Sequence, residues 1–214
     1  MDLSFLKVLL PMLFEGLKLT LLIAIVGIAI GTVIGSLCGY ALQAHNVITK
    51  SIANVYIWII RATPLMVQAL YGYFVIPKLL GVDLKSTTVG IIVIALNSGA
   101  FISEIVRGAL ESIDVGQKEA AISLGLSKSQ TMLHVIIPPA FKLALPSLFN
   151  QFIISVKDTA LLSVIAVNEI THMGQNYAAL SFKMIPTYTT IAAFYLVLLS
   201  ILIIVQKQVE RRMR

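Results

Sequence analysis

Long apolar stretches separated by short polar segments dominate this 214-residue chain. A membrane-spanning helix needs about 20 predominantly apolar residues, and five stretches approach or exceed that length. The second of them is interrupted by Arg61 and Pro64. The pattern therefore predicts an all-α protein with about five transmembrane helices, at residues 17–42, 52–80, 87–106, 136–156 and 188–205.

Two shorter apolar segments do not fit a simple span. Residues 159–167 form an apolar run of nine residues, which is too short to cross a bilayer. We expect this run to be interfacial or re-entrant, tucked under other helices. Residues 1–14 are expected to form a short amphipathic segment at the interface. The whole of residues 1–214 is interpreted as a single transmembrane domain.

The first predicted span contains a row of glycines. Gly27, Gly31, Gly35 and Gly39 recur every four residues, so they form one bare stripe along the helix. Rows of small residues let another backbone approach closely. Packing within the chain and a seam between two subunits explain this stripe equally well.

Composition supports a membrane protein and argues against other classes. The chain is 58% hydrophobic and 12% charged, against roughly 45–50% and 25% in soluble domains. Its net charge of +6 does not predict nucleic-acid binding, because the basic residues are spread near the ends of the apolar stretches. A single cysteine, Cys38, excludes an intrachain disulfide, and no metal site is predicted.

The distribution of lysine and arginine predicts the orientation in the membrane, because cytoplasmic loops carry an excess of these residues. With five spans, the more basic face receives the C-terminal cluster of Lys207, Arg211, Arg212 and Arg214. The N-terminus is therefore predicted outside and the C-terminus in the cytoplasm. The polar segment at about residues 112–135 is then cytoplasmic.

This cytoplasmic segment carries two helix-start signals in succession. Asp114 with Gln117 has the spacing of a capping box, and Gly125 is placed to end the helix that they begin. Ser127 with Gln130 repeats the device and begins a second helix. A short capped helix between two spans is well suited to contact another protein.

The same segment carries a recognisable motif. It reads Glu119-Ala120-Ala121, then three residues, then Gly125, and it ends at Ile137-Pro138. This pattern resembles the EAA loop of the permease subunits of ABC importers. Residues 61–68, 99–108, 116–125 and 157–165 are similar, in the same order, to the branch that imports polar amino acids. The resemblance implies a type I importer permease fold.

The resemblance also implies the partners. The loop helix would dock on a separate ATP-binding cassette subunit, and a second permease subunit, identical or related, would complete a dimer. An extracellular amino-acid-binding protein would deliver the substrate. The residues implied in docking on the ATPase subunit are Glu119, Ala120, Ala121, Leu124 and Gly125.

The energy source is expected to lie outside this chain. A P-loop requires a Gly-Lys pair, and the sequence has none. The chain is therefore interpreted as a transport subunit that is not itself an enzyme and carries no cofactor, with ATP and Mg used by the partner. The resemblance implies alternating access in the cytoplasmic membrane of a prokaryote, with polar amino acids as substrates. The acidic residues within the spans favour a cationic amino acid, and a zwitterion with a polar side chain would also fit.

Glu104 is the first candidate for substrate binding, because an ionisable group within a span usually faces a cavity or a partner. Asn97 lies seven residues earlier on the same helical face, and Ser103 is adjacent. Together they would suit an ammonium or guanidinium group. The alternative is a structural ion pair of Glu104 with Arg107 or with Arg61.

Further candidates flank breaks in the apolar pattern. Lys157 and Asp158 interrupt an apolar run, and irregular backbone at membrane depth is tolerated where it lines a cavity. Lys157 or Arg61 would meet a substrate carboxylate, and Asp158 an amine. Equally, Lys157 marks the membrane interface. Gln68 either lines the path or hydrogen-bonds a neighbouring helix.

Two other classes of function fit the sequence less well. An ion-coupled secondary transporter or channel would use Glu104 and Asp158 for protons or cations, but it has no need of the capped cytoplasmic helix. An intramembrane enzyme is disfavoured because the sequence has no Gly-x-Ser-x-Gly or His-Glu-x-x-His motif.

Overall fold

The computed structural model describes residues 4–43 and 46–213, and helices account for nearly all of this part of the chain. Residues 1–3 of the predicted interfacial segment and Arg214 of the basic cluster lie outside the described residues. The all-α prediction is confirmed. The α-helices are α1 (Leu6–Ala41), α2 (Val47–Ala62), α3 (Leu65–Leu70), α4 (Ile76–Leu80), α5 (Ser86–Glu111), α6 (Val115–Ser123), α7 (Lys128–Gln130), α8 (Ile137–Asp158), α9 (Ile170–Ser181) and α10 (Met184–Met213).

Four continuous helical stretches of the described chain are long and apolar enough to cross a membrane. They are α1, α5, the stretch Lys128–Ile165 that contains α7 and α8, and α10 up to Arg212. A fifth crossing is supplied by Val47–Ala62 with Leu65–Leu80, two arms bent by 103°. The predicted count of five therefore holds when this bent pair is one span, and the interruption predicted at Arg61 and Pro64 is a sharp bend.

The separate interfacial segment predicted over residues 1–14 is not observed. The helix α1 instead runs without interruption from Leu6 to Ala41. Leu9 and Leu13 on its first turns are fully buried against Ile170 and Ile191. These contacts with α9 and α10 hold the segment in the same helix as the predicted span, so it is not a separate element. Its position at the membrane interface stays a prediction.

The glycine stripe of α1 packs against α5 within the same chain. An added Cβ would lie 2.9 Å from the Ala95 carbonyl oxygen at Gly31, and 2.7 Å from the Ile102 Cβ at Gly35. At Gly39 it would lie 2.8 Å from the Ser103 carbonyl oxygen. The two backbones therefore approach as closely as glycine permits. Of the two readings of the stripe, packing within the chain is the observed one.

Two π-helical turns precede prolines and keep the helix continuous through them. The π-helical turns Tyr71–Val75 and Thr131–Ile136 each lead into a helix with proline in its first positions, Pro77 in α4 and Pro138 in α8. Proline clashes with the carbonyl four residues earlier and has no N–H. A π-turn shifts the hydrogen bonding by one residue and removes that conflict. The second capped helix therefore continues through Pro138 into the span.

The apolar run at residues 159–167 lies under other helices, as expected. It begins as a 3₁₀ turn, Thr159–Ile165, that continues directly from α8. Leu162 is fully buried in a core that also contains Ile23, Leu65 and Val93. The chain then forms α9, which the sequence pattern did not predict, before it enters α10. The bundle thus has two ends, one with α6 and the other with α9, named below the α6 end and the α9 end.

The close contact between the glycine stripe of α1 and α5 makes a quantitative prediction. Gly35→Ala places a methyl group within 2.8 Å of the Gly99 carbonyl oxygen, so backbone must shift. We expect the free energy of unfolding to fall by about 1–3 kcal/mol. In Gly108→Ala the new methyl meets nothing within 4 Å, so stability should rise by about 0.5–1 kcal/mol through helix propensity. Thermal unfolding of the two variants in detergent measures both. Equal unfolding midpoints for the two variants would contradict a close contact of α1 with α5 at Gly35.

Candidate functional site

The helix α6 begins at the predicted cap. The Asp114 carboxylate accepts a hydrogen bond from the Gly116 N–H at 2.6 Å, although the structure records no return bond from the Gln117 side chain among the described residues. The following helix has the complete box. The Gln130 N–H donates to Ser127 Oγ at 3.3 Å, and the Ser127 N–H donates to Gln130 Oε1 at 2.9 Å.

Gly125 ends α6 as predicted. Its φ of +84° lies in the left-handed region, which glycine adopts without the Cβ penalty. The Gly125 N–H bonds the Ile122 carbonyl at 2.9 Å, and the Leu126 N–H bonds the Ala121 carbonyl at 3.1 Å. This pair of bonds is a Schellman motif. Both ends of α6 are therefore fixed by its own sequence.

Most of the predicted coupling residues lie on the exposed side of α6. Glu119, Ala120, Leu124 and Gly125 are exposed, and Leu124 is 82% exposed. Ala121 is 3% exposed and faces the rest of the chain, where α6 packs on the π-turn Thr131–Ile136. Ala121 therefore seats the helix on the rest of the chain, and the docking role of the other four residues stays a prediction.

Glu104 is at the centre of a chain of ion pairs. Its Oε2 lies 2.6 Å from Arg107 Nη2, and its Oε1 lies 3.7 Å from Arg61 Nη1 across the gap to α2. Arg107 also pairs with Glu111 at 2.9 Å. The guanidinium of Arg61 lies 5.5 Å from the ring centre of Phe101. The structural pairing that sequence analysis gave as the alternative is thus present. A substrate contact of Glu104 stays a prediction.

Ser103 and Asn97 do not lie beside the Glu104 carboxylate. Ser103 is fully buried, donates to the Ala100 carbonyl at 2.7 Å, and belongs to the face of α5 that packs on Gly39. Asn97 is 7% exposed and lies about two turns along the helix from Glu104. The predicted convergence of Asn97, Ser103 and Glu104 is therefore not observed. Ser103 points about 100° away from Glu104 around the helix, and Asn97 is separated from it by about two turns along the helix.

Gln68 bridges the bend between α2 and α3. Its Nε2 donates to the Ile60 carbonyl at 2.8 Å and to the Thr63 carbonyl at 3.1 Å. These bonds satisfy carbonyls that the 103° bend would otherwise leave open. Its Oε1 is buried and has no hydrogen-bond partner within the described residues. Gln68 thus hydrogen-bonds the neighbouring helix, as one of its two predicted roles required.

Lys157 and Asp158 lie at the α9 end of α8. The backbone there tightens from α to 3₁₀ geometry, so the predicted irregular break is a continuous helical turn. Lys157 is exposed and Asp158 is half-buried. Ser98 and Ser155 are hydrogen-bonded at 2.9 Å and fix the register of the antiparallel α5 and α8. From that contact, Asp158 and Glu104 lie about 14 Å apart along the bundle axis.

The predicted site therefore divides into two levels. Arg61, Gln68 and Glu104 surround the bend, and Asn97, Lys157 and Asp158 lie towards the α9 end. Ser103 belongs to neither level.

Sequence analysis missed Glu169, which begins α9. Its carboxylate is fully buried and accepts hydrogen bonds from the N–H groups of Thr171 at 2.7 Å and His172 at 2.6 Å. The Tyr195 hydroxyl donates to it at 3.1 Å and joins α9 to α10. Burial raises the pKa of the Glu169 carboxyl, against the effect of these donors. Glutamate is not a favoured N-cap residue, so no local pattern marks the start of α9.

Comparison with known proteins places this architecture in a family. The family model described as "Binding-protein-dependent transport system inner membrane component" matches residues 31–214. The chain belongs to this family. It is a permease. The resemblance to importer permeases that the EAA-type loop indicated is confirmed over most of the chain.

Individual relatives cover nearly the whole permease. It is 43% identical over 206 residues to the glutamine transport system permease protein GlnP of Escherichia coli strain K12, covering 95% of this chain and 94% of that protein. It is 33% identical over 207 residues to the arginine transport system permease protein ArtQ of Bacillus subtilis strain 168, covering 95% and 93%.

Solved structures show the same fold. A chain from the crystal structure of an amino acid ABC transporter with histidines superposes with a TM-score of 0.90 at 33% identity, covering 99% of the permease and 100% of that chain. A chain of the MetNI methionine ABC transporter in an inward-facing conformation gives 0.78 at 18% identity and full coverage of both, which shows the fold alone.

The two carboxylates bound by Arg107 make a test of structural pairing. Glu104→Gln removes pairs to two arginines and should lower the free energy of unfolding by about 1 kcal/mol, since the group is partly exposed. Glu111→Gln removes one exposed pair and should cost about 0–0.5 kcal/mol. Thermal unfolding midpoints of both variants in one detergent give the comparison. A larger loss in Glu111→Gln would show that Glu104 does not hold α2 to α5.

Proposed function

We propose that the permease moves a polar α-amino acid into the cell, driven by ATP hydrolysis in a separate subunit. The observation that carries this proposal is α6, a helix fixed at both ends, lying between two spans and exposing Glu119 and Leu124. An autonomous carrier has no use for such a surface. Relatives named for glutamine and arginine transport support an amino-acid substrate.

The proposed assembly pairs this chain with a second permease subunit, two ATPase subunits and an external binding protein. The α6 end is then cytoplasmic, which puts the N-terminus outside and the C-terminus inside the cytoplasmic membrane. Lys118 and Lys128 at the α6 end and Arg211 and Arg212 of α10 support this orientation. ATP and Mg are bound by the ATPase subunits, whose closure moves α6 and the spans attached to it.

The proposed substrate lies between the two levels of the site. About 14 Å along the axis leaves room for one extended amino acid between Asp158 and Glu104. Asp158 receives the α-ammonium group, and Lys157 supplies a cation for the α-carboxylate. At the other end, the substrate side chain lies at the bend, near the paired Arg61 and Glu104.

The charge balance at the bend favours an uncharged polar side chain. Glu104 already pairs with Arg107 and Arg61, and Glu111 neutralises Arg107. A cationic side chain would have to replace one of these arginines. An uncharged side-chain amide, as in glutamine, displaces none of these ion pairs. The expectation of a cationic substrate is therefore the competing outcome of the tests below.

Stimulation of ATP hydrolysis by single amino acids distinguishes an uncharged polar substrate from a cationic one. ATPase activity of the reconstituted complex is measured with glutamine, histidine and arginine in turn. We expect glutamine to reach half-maximal stimulation at a concentration at least about tenfold below that of arginine, which corresponds to roughly 1.4 kcal/mol. The reverse order would establish a cationic site and refute the charge argument.

Asp158→Asn tests the proposed ammonium contact. The variant keeps the volume and removes the charge, so the half-saturating concentration should rise about 10–100-fold, the range for one charge-assisted hydrogen bond. Asp83→Asn is the matched control, because Asp83 is an exposed aspartate in the loop before α5. Similar values for the two variants would remove Asp158 from the site.

Glu119→Arg tests the docking surface. We expect the variant to fold, with an unchanged thermal unfolding midpoint, because Glu119 is exposed and has no ion pair among the described residues. Substrate-stimulated ATP hydrolysis should fall at least about tenfold, since a reversed charge at a buried contact costs several kcal/mol. Gln117→Arg, an exposed change two residues earlier, should leave coupling intact. Unchanged coupling in Glu119→Arg would exclude α6 from energy transfer.

A further inference from the structure

Gln151 is a buried residue of α8 whose side-chain amide is unused. The residue is 4% exposed. Its backbone carbonyl accepts a hydrogen bond from the Ser155 hydroxyl at 2.9 Å, but its side-chain amide makes no hydrogen bond within the described residues. Unlike Gln68 Oε1, the amide atoms of Gln151 are not sealed from the surroundings. Buried polar side chains are nearly always hydrogen-bonded, so this amide is available to a molecule that enters the site.

The contact between α5 and α8 fixes the height of Gln151 in the bundle. Ser98 and Ser155 meet at 2.9 Å, and the two helices are antiparallel. Gln151 lies four residues before Ser155, about 6 Å towards the α6 end. Glu104 lies six residues after Ser98, about 9 Å towards the same end. Gln151 is therefore within about 3 Å of the level of Glu104 at the bend.

Helix periodicity places Gln151 on the same face of α8 as Asp158. Seven residues are almost two full turns, so the two side chains point within about 20° of each other. The same spacing relates Asn97 to Glu104 on α5. Because α5 and α8 run in opposite directions, these two faces turn to the same side of the helix pair. Gln151 thus lies on the wall between the two levels of the site, at the end nearest the bend.

The charged groups at this level are already paired. Arg61 lies 3.7 Å from Glu104, and its guanidinium lies 5.5 Å from the ring centre of Phe101. Gln151 brings no charge but has an N–H donor and a carbonyl acceptor that are both unused. A side-chain amide with these two groups is complementary to another carboxamide, with which it forms two hydrogen bonds.

We propose that Gln151 determines the specificity of the substrate site by pairing with a carboxamide at the end of the substrate side chain. Gln151 Nε2 donates to the substrate carbonyl, and Gln151 Oε1 accepts from the substrate amide. Asp158, which holds the α-ammonium group, lies about 10.5 Å away along α8. An extended glutamine bridges this distance with a hydrogen bond at each end. The assignment rests on the amino-acid site proposed above and adds the group that recognises the side chain.

The test compares glutamine with methionine, which has nearly the same length and no side-chain amide. Binding of each labelled amino acid is measured by scintillation proximity on the purified permease with its ATPase subunit. The external binding protein is left out because its own selectivity would mask that of the permease. We expect the wild-type complex to bind glutamine at least about tenfold more tightly than methionine. Gln151→Met should weaken glutamine binding about 10–100-fold and bring the ratio of the two affinities close to one.

The ratio of affinities separates recognition from folding, because a general disturbance of α8 weakens the binding of both amino acids alike. Asn150→Leu is the matched control. It removes an exposed amide that is adjacent in sequence but lies on a different face of α8, and it should leave the ratio unchanged. A wild-type ratio in Gln151→Met, or an equal change in Asn150→Leu, would overturn the assignment.

A second variant keeps the assignment testable should the methionine change prevent folding. Gln151→Glu conserves the shape, but a carboxylate accepts without donating and pairs well with a guanidinium. The affinity for arginine relative to glutamine should therefore rise at least about tenfold. An arginine-to-glutamine ratio equal to that of the wild-type complex would contradict the assigned contact.

Asp158→Asn distinguishes the role of Gln151 from the existence of the site. Loss of glutamine binding in Asp158→Asn, with a wild-type glutamine-to-methionine ratio in Gln151→Met, would leave the site standing and refute the role of Gln151. Failure of the wild-type complex to bind either amino acid would refute the proposed site and the role of Gln151 together.

Discussion

The close contact between α1 and α5 sets the positions of most other helices. Glycine every fourth residue on α1 lets the two backbones meet with no side chain between them on the α1 side. Helix α5 then holds α8 through the Ser98–Ser155 hydrogen bond at 2.9 Å. It holds α2 through the Tyr56 hydroxyl, which donates to the Leu96 carbonyl at 2.6 Å. The bend at Gln68 and the end of α8 at Asp158 are placed by these contacts.

In a bilayer, each buried polar group must find its partner within the protein. Three buried side-chain atoms of the described residues lack one, namely Gln68 Oε1, Thr131 Oγ1 and His172 Nδ1. The first lies at the bend between α2 and α3, and the second lies in the turn Thr131–Ile136 on which α6 packs. All three atoms have almost no accessible surface, so a bound molecule reaches them only if the surrounding helices move.

The sequence predicted the elements that depend on local chemistry. Hydrophobic length located the spans, and the residues Asp114, Gly125, Ser127 and Gln130 located both ends of α6 and the start of α7. These predictions succeeded because caps and a left-handed glycine act within a few residues of the chain.

What failed depended on contacts between distant segments. The first turns of α1 are held in the span by packing on Ile170 and Ile191, which the amphipathic pattern of residues 1–14 does not reveal. Ser103 was grouped with Glu104 because the two are adjacent in sequence, yet Ser103 lies on the face of α5 that packs against the glycine stripe of α1. The cap of α9 by Glu169 depends on Tyr195, which lies 26 residues away on α10.

The most direct test of the central claim is uptake of labelled glutamine into liposomes that contain the permease with its ATPase subunit and binding protein. Uptake should require ATP on the α6 side, stop with a non-hydrolysable analogue, and be unaffected by collapse of proton and sodium gradients. Glutamine accumulation by the permease alone, driven by an ion gradient without ATP, would contradict the account and identify an autonomous carrier.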